Sequence, residues 1–212
     1  ALATNHLPIK DVAASITSDK LVEKCRLLHT SLKRDFRINN PRIAVLALNP
    51  QLGTEEENII CPALKTVEEA GIQVYGPYTA DDFFGNDLQT SFDSILAMYD
   101  DQGNVPFKTQ AKEFGVKMKA GFPFVITTPN HDPCFDIAGK GIADPASLRH
   151  AIYAAIDIFR NRIHYDEPLA NPLPKLYHEK REDGEKARFA VKAKDQFKRD
   201  DKAPLDDKTE NE

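Results

Sequence analysis

The sequence predicts an α/β layer architecture, and three observations carry that expectation. Apolar residues recur at helical spacing in long segments, short continuous apolar runs lie between those segments, and several of the runs end abruptly in polar, turn-forming loops. Alternation of these two periodicities is what helices layered on a sheet require.

The elements follow in order. Leu21, Cys25, Leu28, Leu32 and Phe36 line one helical face, and Thr17-Ser18-Asp19 supplies the N-cap candidates before it. Arg42 to Leu48 is a short apolar run after Asn39-Asn40-Pro41, the pattern of a strand buried on both faces. Thr54-Glu55-Glu56-Glu57 has the capping-box spacing, and its acidic turn suits the positive end of a helix dipole, so a helix is expected from there to about Ala70. Gly71 ends it. Further strands are expected over Ile72–Tyr75, Ser94–Tyr99, Val116–Ala120 and Phe124–Thr127. Leu148, Ile152, Ala155, Phe159 and Ile163 form the apolar face of a last helix.

Composition narrows the function classes. The 212 residues carry 28 Lys and Arg against 33 Asp and Glu, a formal net charge of -5, and 41% are hydrophobic. That is a globular composition with no long-range attraction for phosphate backbones, so no nucleic-acid partner is expected. No apolar run approaches the roughly 18 residues of a membrane span, and no membrane association is expected. Cys25, Cys61 and Cys134 lie far apart and odd in number, which favours a reducing cytoplasm over a disulfide framework. The first eight residues have no basic or apolar targeting region and read as the interior of a longer chain. From residue 176 to 212 dense mixed charge and scattered apolar residues read as a mobile tail, with a solvated helix as the other option around Glu185 to Phe197. The organisation expected is therefore an α/β region over 1–175 and a charged tail over 176–212.

Strand ends are where ligands sit in open α/β sheets. The loop Asn49-Pro50-Gln51-Leu52-Gly53-Thr54 leads into a helix whose N-terminal N–H groups could meet an anion, or is a plain connection. The loop Met98-Tyr99-Asp100-Asp101-Gln102-Gly103 places two carboxylates after a strand, oxygen donors of the kind that hard cations need. On an extended segment those two side chains would point to opposite faces. His6, before Leu7-Pro8, is a hydrogen-bonding residue or a metal ligand able to reach a carboxylate elsewhere in the fold or in another subunit. His131, between Asn130 and Asp132, fits a turn. Lys108 could hold an anion as a point charge. There is no Gly-x-Gly-x-x-Gly fingerprint, phosphate-binding loop or Gly-x-Ser-x-Gly elbow.

Taken together and in order, Ala3-Thr4-Asn5-His6-Leu7-Pro8-Ile9, Leu48-Asn49-Pro50, Gly53-Thr54-Glu55-Glu56, Gly76-Pro77-Tyr78-Thr79-Ala80-Asp81, Ala97-Met98-Tyr99-Asp100-Asp101-Gln102-Gly103 and Asp136-Ile137-Ala138-Gly139-Lys140-Gly141 resemble the 4-hydroxythreonine-4-phosphate dehydrogenase family of pyridoxal phosphate (vitamin B6) biosynthesis. The resemblance runs from residue 1 to about Pro174 and covers the C-terminal half of that family. It implies an isocitrate/isopropylmalate-dehydrogenase-like layered fold, here partial, and a homodimer with sites between subunits. It further implies a divalent metal ion (zinc, magnesium or manganese) and NAD or NADP, with no residue assigned to the cofactor. The reaction it implies is oxidation of the secondary alcohol of 4-phosphooxy-L-threonine followed by loss of carbon dioxide. A metal would serve both steps by lowering the alcohol's pKa and stabilising the enolate oxygen, while the cofactor accepts the hydride.

Carried over residue by residue, the resemblance makes His6, Asp81 and Asp100 the metal region, Asp101 and Lys108 catalytic residues, and Lys108 and Lys117 the substrate-binding residues. This chain departs from the family pattern in five places. Gln51 and Asp100 stand where the family has histidines, the Gly-rich loop after Asn-Pro is shortened to Leu52-Gly53, Lys117 replaces an Asn, and Ile126 replaces an Arg that grips an anionic group. An Asp at position 100 keeps an oxygen ligand and favours harder ions such as magnesium or manganese. Loss of the Arg removes charge-assisted hydrogen bonds of about 1.5–3 kcal/mol each. The alternative to an enzyme is a catalytically silent homologue acting as a binding or dimerisation protein.

Overall fold

The structure is a computed structural model, which describes residues 1–131 and 134–173. The charged segment over 176–212, with the option of a helix around Glu185 to Phe197, lies outside the described residues.

A helix α1 (Ile9–Ser15) leads into α2 (Ser18–Arg34), then β1 (Ile43–Leu46), α3 (Cys61–Glu69), β2 (Val74–Tyr78), α4 (Ala80–Gly85), β3 (Ser94–Leu96), α5 (Asp100–Ala111), β4 (Val116–Lys119), β5 (Ile126–Pro129) and α6 (Ala146–Ala170). β1 is the centre of a parallel sheet of order β2-β1-β3. All four of its residues are buried, as the continuous apolar run requires. The first residues extend the sheet beyond β3: Leu2 pairs in parallel with Ala97, and the Ala3 N–H donates to the Ala97 carbonyl at 2.8 Å. β4 and β5 form a separate antiparallel ribbon.

The main core lies where α2 and α3 cover one face of the sheet, with Leu21, Cys25, Leu32, Ile43, Val45, Ala63, Val67 and Met98 all buried. Thr17 caps α2 by accepting the Lys20 N–H, and Asp19 and the pair Lys33-Arg34 match the two ends of the helix dipole. α2 stops at Arg34, short of the expected Phe36, which is left exposed. The helix after β1 opens with a π-type turn over Glu56–Ile60, in which the Cys61 N–H reaches the Glu56 carbonyl. Pro62 follows directly and lacks the donor that an α-turn needs there, which accounts for the widening.

Strand boundaries also shift. Gly71, at φ 80°, ends α3 with its N–H on the Glu68 carbonyl and the Ile72 N–H on that of Val67, the paired bonds of a Schellman motif. Ile72 is thereby committed to the cap, and β2 starts at Val74 and continues through Gly76-Pro77 to Tyr78. β3 ends at Leu96 and β5 runs two residues later than expected.

One larger expectation is corrected, and another is met on an unexpected surface. Asp100 and Asp101 do not lie on an extended strand end: they form the first turn of α5, a helix hidden in the sequence by Gly103 and Pro106. Gly103 is required by close approach, because a Cβ there would stand 2.6 Å from Leu2 Cδ2. The predicted apolar face of α6 does not pack into the chain's own core. Leu148, Ile152, Phe159 and Ile163 are each about half exposed, whereas Ser147, Ala151, Ile158 and Arg162 are buried. The helix packs on the ribbon through the face carrying those four.

Two of those four residues, Ser147 and Arg162, are polar, and both are hydrogen-bonded. Ser147 Oγ accepts the Asn130 N–H at 3.0 Å and bonds the Gly115 carbonyl at 3.3 Å. Arg162 Nε donates to Asp35 Oδ1 at 2.7 Å and its Nη1 to the Phe122 carbonyl at 3.0 Å, while Ser31 Oγ donates to Asp35 Oδ2 at 2.7 Å. The Arg162 and Asp35 side chains are only 7% and 3% exposed.

Arg162→Ala leaves the Asp35 carboxylate buried and is expected to cost about 3–5 kcal/mol in urea unfolding, whereas the double change Asp35→Leu with Arg162→Leu should cost much less. Gly71→Ala forces a Cβ into left-handed backbone and should cost about 1 kcal/mol in the same assay.

Candidate functional site

Because β1, β2 and β3 are parallel, their carboxyl ends open on one edge of the sheet. The loop 47–53 leaves β1 there, Thr79 and Asp81 follow β2, and Tyr99 to Asp101 follow β3. The N-terminal segment arrives at the same edge. The Thr4 N–H and Thr4 Oγ1 both donate to the Met98 carbonyl, at 3.2 and 2.7 Å, which fixes the segment two residues before His6 to the segment two residues before Asp100. His6 is exposed with φ 50°, and Asp81 and Asp101 are exposed. Asp100 is half-buried and its Oδ1 accepts the Asn104 side-chain amide at 2.8 Å.

The support beneath this edge is made by Gln102, to which the sequence assigns no site role, and by Glu56, expected only in a helix cap. Gln102 is buried. Its Oε1 accepts the Met98 N–H and its Nε2 donates to the Ala47 carbonyl, both at 2.7 Å, which locks the end of β3 to the end of β1. Glu56, 1% exposed, accepts the N–H groups of Leu48, Asn49 and Gly53 at 2.9, 2.9 and 2.8 Å, and its Oε2 takes the Asn49 amide at 3.1 Å. The expected capping box is thus displaced by one residue, with Gly53 as the cap and Glu56, not Glu57, reaching back. Of the two readings of the loop this favours the plain connection, since the N–H groups of Leu48, Asn49 and Gly53 are held by the chain's own carboxylate. Burial alone would raise the Glu56 carboxyl, but the N–H groups of Asn49 and Gly53 and the Asn49 amide outweigh it and hold the pKa below the ordinary range. The signal in the sequence was a glutamate in the first turn after an Asn-Pro loop, readable as a cap but not as a loop clamp.

The other predicted residues sit apart from this edge. Lys108 is exposed in the last turn of α5, about 12 Å along the helix from Asp100. The ring of the preceding Phe107 lies against the start of the ribbon, 3.1 Å from where a Cβ on Gly115 would stand. On the ribbon, Lys117 opposes Thr128 and Lys119 opposes Ile126. These four share the face turned away from α6, to which the other face is tied by Thr127 Oγ1 donating to the Ala151 carbonyl at 2.8 Å. One protomer therefore presents an acidic edge with an imidazole and, separately, a basic ribbon. Among the described residues no three His, Cys, Asp or Glu side chains gather closely enough to hold a metal ion. The donors of a single chain do not by themselves fit the three-ligand centre that the resemblance implies.

The family profile of pyridoxal phosphate biosynthetic protein PdxA matches residues 1–155, which contain every residue of both clusters. The chain belongs to this family. A 4-hydroxythreonine-4-phosphate dehydrogenase from Bacteroides thetaiotaomicron is 51% identical over 195 residues, covering 89% of this chain and 54% of the relative. A crystal structure of a 4-hydroxythreonine-4-phosphate dehydrogenase from Burkholderia phymatum superposes with TM-score 0.63 at 32% identity, over 74% of this chain and 49% of that one. A terephthalate 1,2-cis-dihydrodiol dehydrogenase from Burkholderia xenovorans LB400 superposes with TM-score 0.59 at 28% identity, over 74% of this chain and 51% of that one. The chain spans about half the length of the curated relatives it matches. Family membership fixes the α/β class with a parallel sheet, and the relatives are oxidoreductases by name.

Glu56→Gln puts an amide among backbone donors and should cost about 1–3 kcal/mol. Because the folded pKa of Glu56 is depressed, its contribution is complete above the unfolded value of about 4.3 and is lost as pH falls below it. Urea midpoints of the wild type and the variant should therefore differ most near neutral pH and converge in acid.

Proposed function

We propose that the chain carries active-site residues of an NAD- or NADP-dependent enzyme that oxidises and decarboxylates 4-phosphooxy-L-threonine in pyridoxal phosphate biosynthesis. The observation that supports this most is that three of the family's motifs in this chain, at 48–50, 76–81 and 97–103, fall at the carboxyl ends of parallel strands, where α/β sheets receive ligands. We assign His6, Asp81 and Asp100 to a divalent-metal region and Asp101 to proton exchange with the substrate. Lys108 and Lys117 are assigned to the anionic groups of the substrate. A nicotinamide, when bound, would supply the hydride acceptor for the secondary alcohol, with no residue of this chain assigned to hold it.

Since the described residues of one chain gather no metal set, we take the remaining ligands to come from a second copy. A homodimer joining the acidic edge of one protomer to the basic ribbon of the other would bring the substrate-binding lysines to the metal region. The apolar stripe left exposed on α6, from Leu148 through Ile152 and Phe159 to Ile163, supports such a contact. The layering of isocitrate and isopropylmalate dehydrogenases is the arrangement we expect once the rest of the family's length is added. No helix among the described residues is long and apolar enough to cross a membrane, and we place the reaction in the reducing cytoplasm.

The test is reduction of NAD or NADP by the natural full-length protein with 4-phosphooxy-L-threonine. His6→Ala and Asp100→Ala should each lower kcat/KM by about tenfold or more, the loss of one charge-assisted contact or ligand. Unchanged turnover in both variants would remove the assigned site.

A further inference from the structure

The ribbon carries a cation that neither the resemblance nor the acidic edge accounts for. Lys117 and Lys119 stand two residues apart on β4, both exposed and on the same face, with Cα atoms about 6.6 Å apart. Directly across from them are Thr128 and Ile126, neither able to neutralise an ammonium group. Among the described residues neither lysine makes an ion pair or a side-chain hydrogen bond. Like charges stacked on one face of a strand pair repel, and an anion held between them removes that repulsion. The neighbouring hydroxyl belongs to Thr128, whose Oγ1 reaches only the Lys117 carbonyl at a long 3.5 Å.

We propose that Lys119 is a second anion-contacting residue, which acts with Lys117 and Thr128 to bind a phosphate monoester and select it over a carboxylate. The chemistry favours phosphate because two ammonium groups match its double charge and its terminal oxygens outnumber those of a carboxylate. The register adds a second argument. Lys119 is the cross-strand neighbour of Ile126, so its ammonium group supplies from β4 a positive charge that the facing position on β5 lacks. The stem of Lys119 can lie along the apolar Ile126 side chain while its charge stays in solvent. This inference rests on the phosphorylated substrate proposed above and names a residue that recognises its phosphate.

The test is calorimetric titration of the full chain with O-phospho-L-threonine and, as the unphosphorylated control, L-threonine. Lys119→Ala should weaken phosphothreonine binding by about tenfold, as loss of a charge-assisted contact implies, while Lys119→Arg stays within about threefold of wild type. Moving the cation across the ribbon, with Lys119→Thr and Ile126→Lys together, should recover most of the loss. A merely structural role for Lys119 would not show that recovery. Wild-type affinity in Lys119→Ala overturns the inference, and if Lys117→Ala is still weakened the proposed substrate class stands without it. A wild-type chain that does not distinguish phosphothreonine from threonine overturns both.

Discussion

The arrangement of this protein depends on one buried ion pair. Asp35 closes α2, Arg162 sits well inside α6, and the guanidinium also bonds the carbonyls of Phe122 and Pro123 in the segment leading into β5. Burying two charges is costly, and the attraction between them offsets that cost only when the remaining donors and acceptors are also met. Here Ser31 takes the second Asp35 oxygen and the Asn161 amide takes the Asp35 carbonyl, so the pair is closed on both sides. An apolar pair of similar volume could be as stable. What the charged pair adds is geometric: a planar guanidinium accepts few orientations, and so α6 and the ribbon hold one position against α2.

That rigidity gives meaning to the separation of the two clusters. The acidic edge is built on the parallel sheet and braced by Gln102 and Glu56, whereas the ribbon lysines are built on β4 and braced by α6. Each cluster has its own scaffold, and Lys108 stands at the far end of α5 from Asp100. Within one protomer nothing described brings the cation set and the imidazole-carboxylate set into a common cavity. A fold that presents both on rigid supports, with an apolar helix face exposed, is suited to completing its chemistry by association.

The sequence made some of this legible and hid the rest for physical reasons. The β1 run and the α2 stripe could be read because each is governed by a local pattern, a continuous apolar run in the first and helical periodicity with a Thr17 cap in the second. Helix α5 could not, since Gly103 is there to admit Leu2, a contact about a hundred residues back along the chain, and Pro106 breaks the local signal. The Leu148-to-Ile163 stripe of α6 was legible as apolar, but periodicity cannot say which surface an apolar face meets. Its packed side is instead chosen by Ser147 and Arg162, polar residues that a reading of hydrophobic pattern assigns to solvent. At the site, the motif positions were legible and the clamp was not. Glu56 and Glu57 are equivalent on spacing alone, and only the loop path shows which carboxylate faces inward.

The capture of three backbone N–H groups by Glu56 has a consequence for any negatively charged ligand. Fixed peptide dipoles are partly shielded from bulk salt by their surroundings, whereas ammonium groups on long exposed stems share their field with the electrolyte. With the loop N–H groups of Leu48, Asn49 and Gly53 already held from within, attraction of an anion at this loop falls to side chains that dissolved ions reach freely. The affinity should then decline steeply as the screening length shrinks from about 10 Å at 0.1 M salt to about 3 Å at 1 M, tying ligand capture to the ionic composition of the medium.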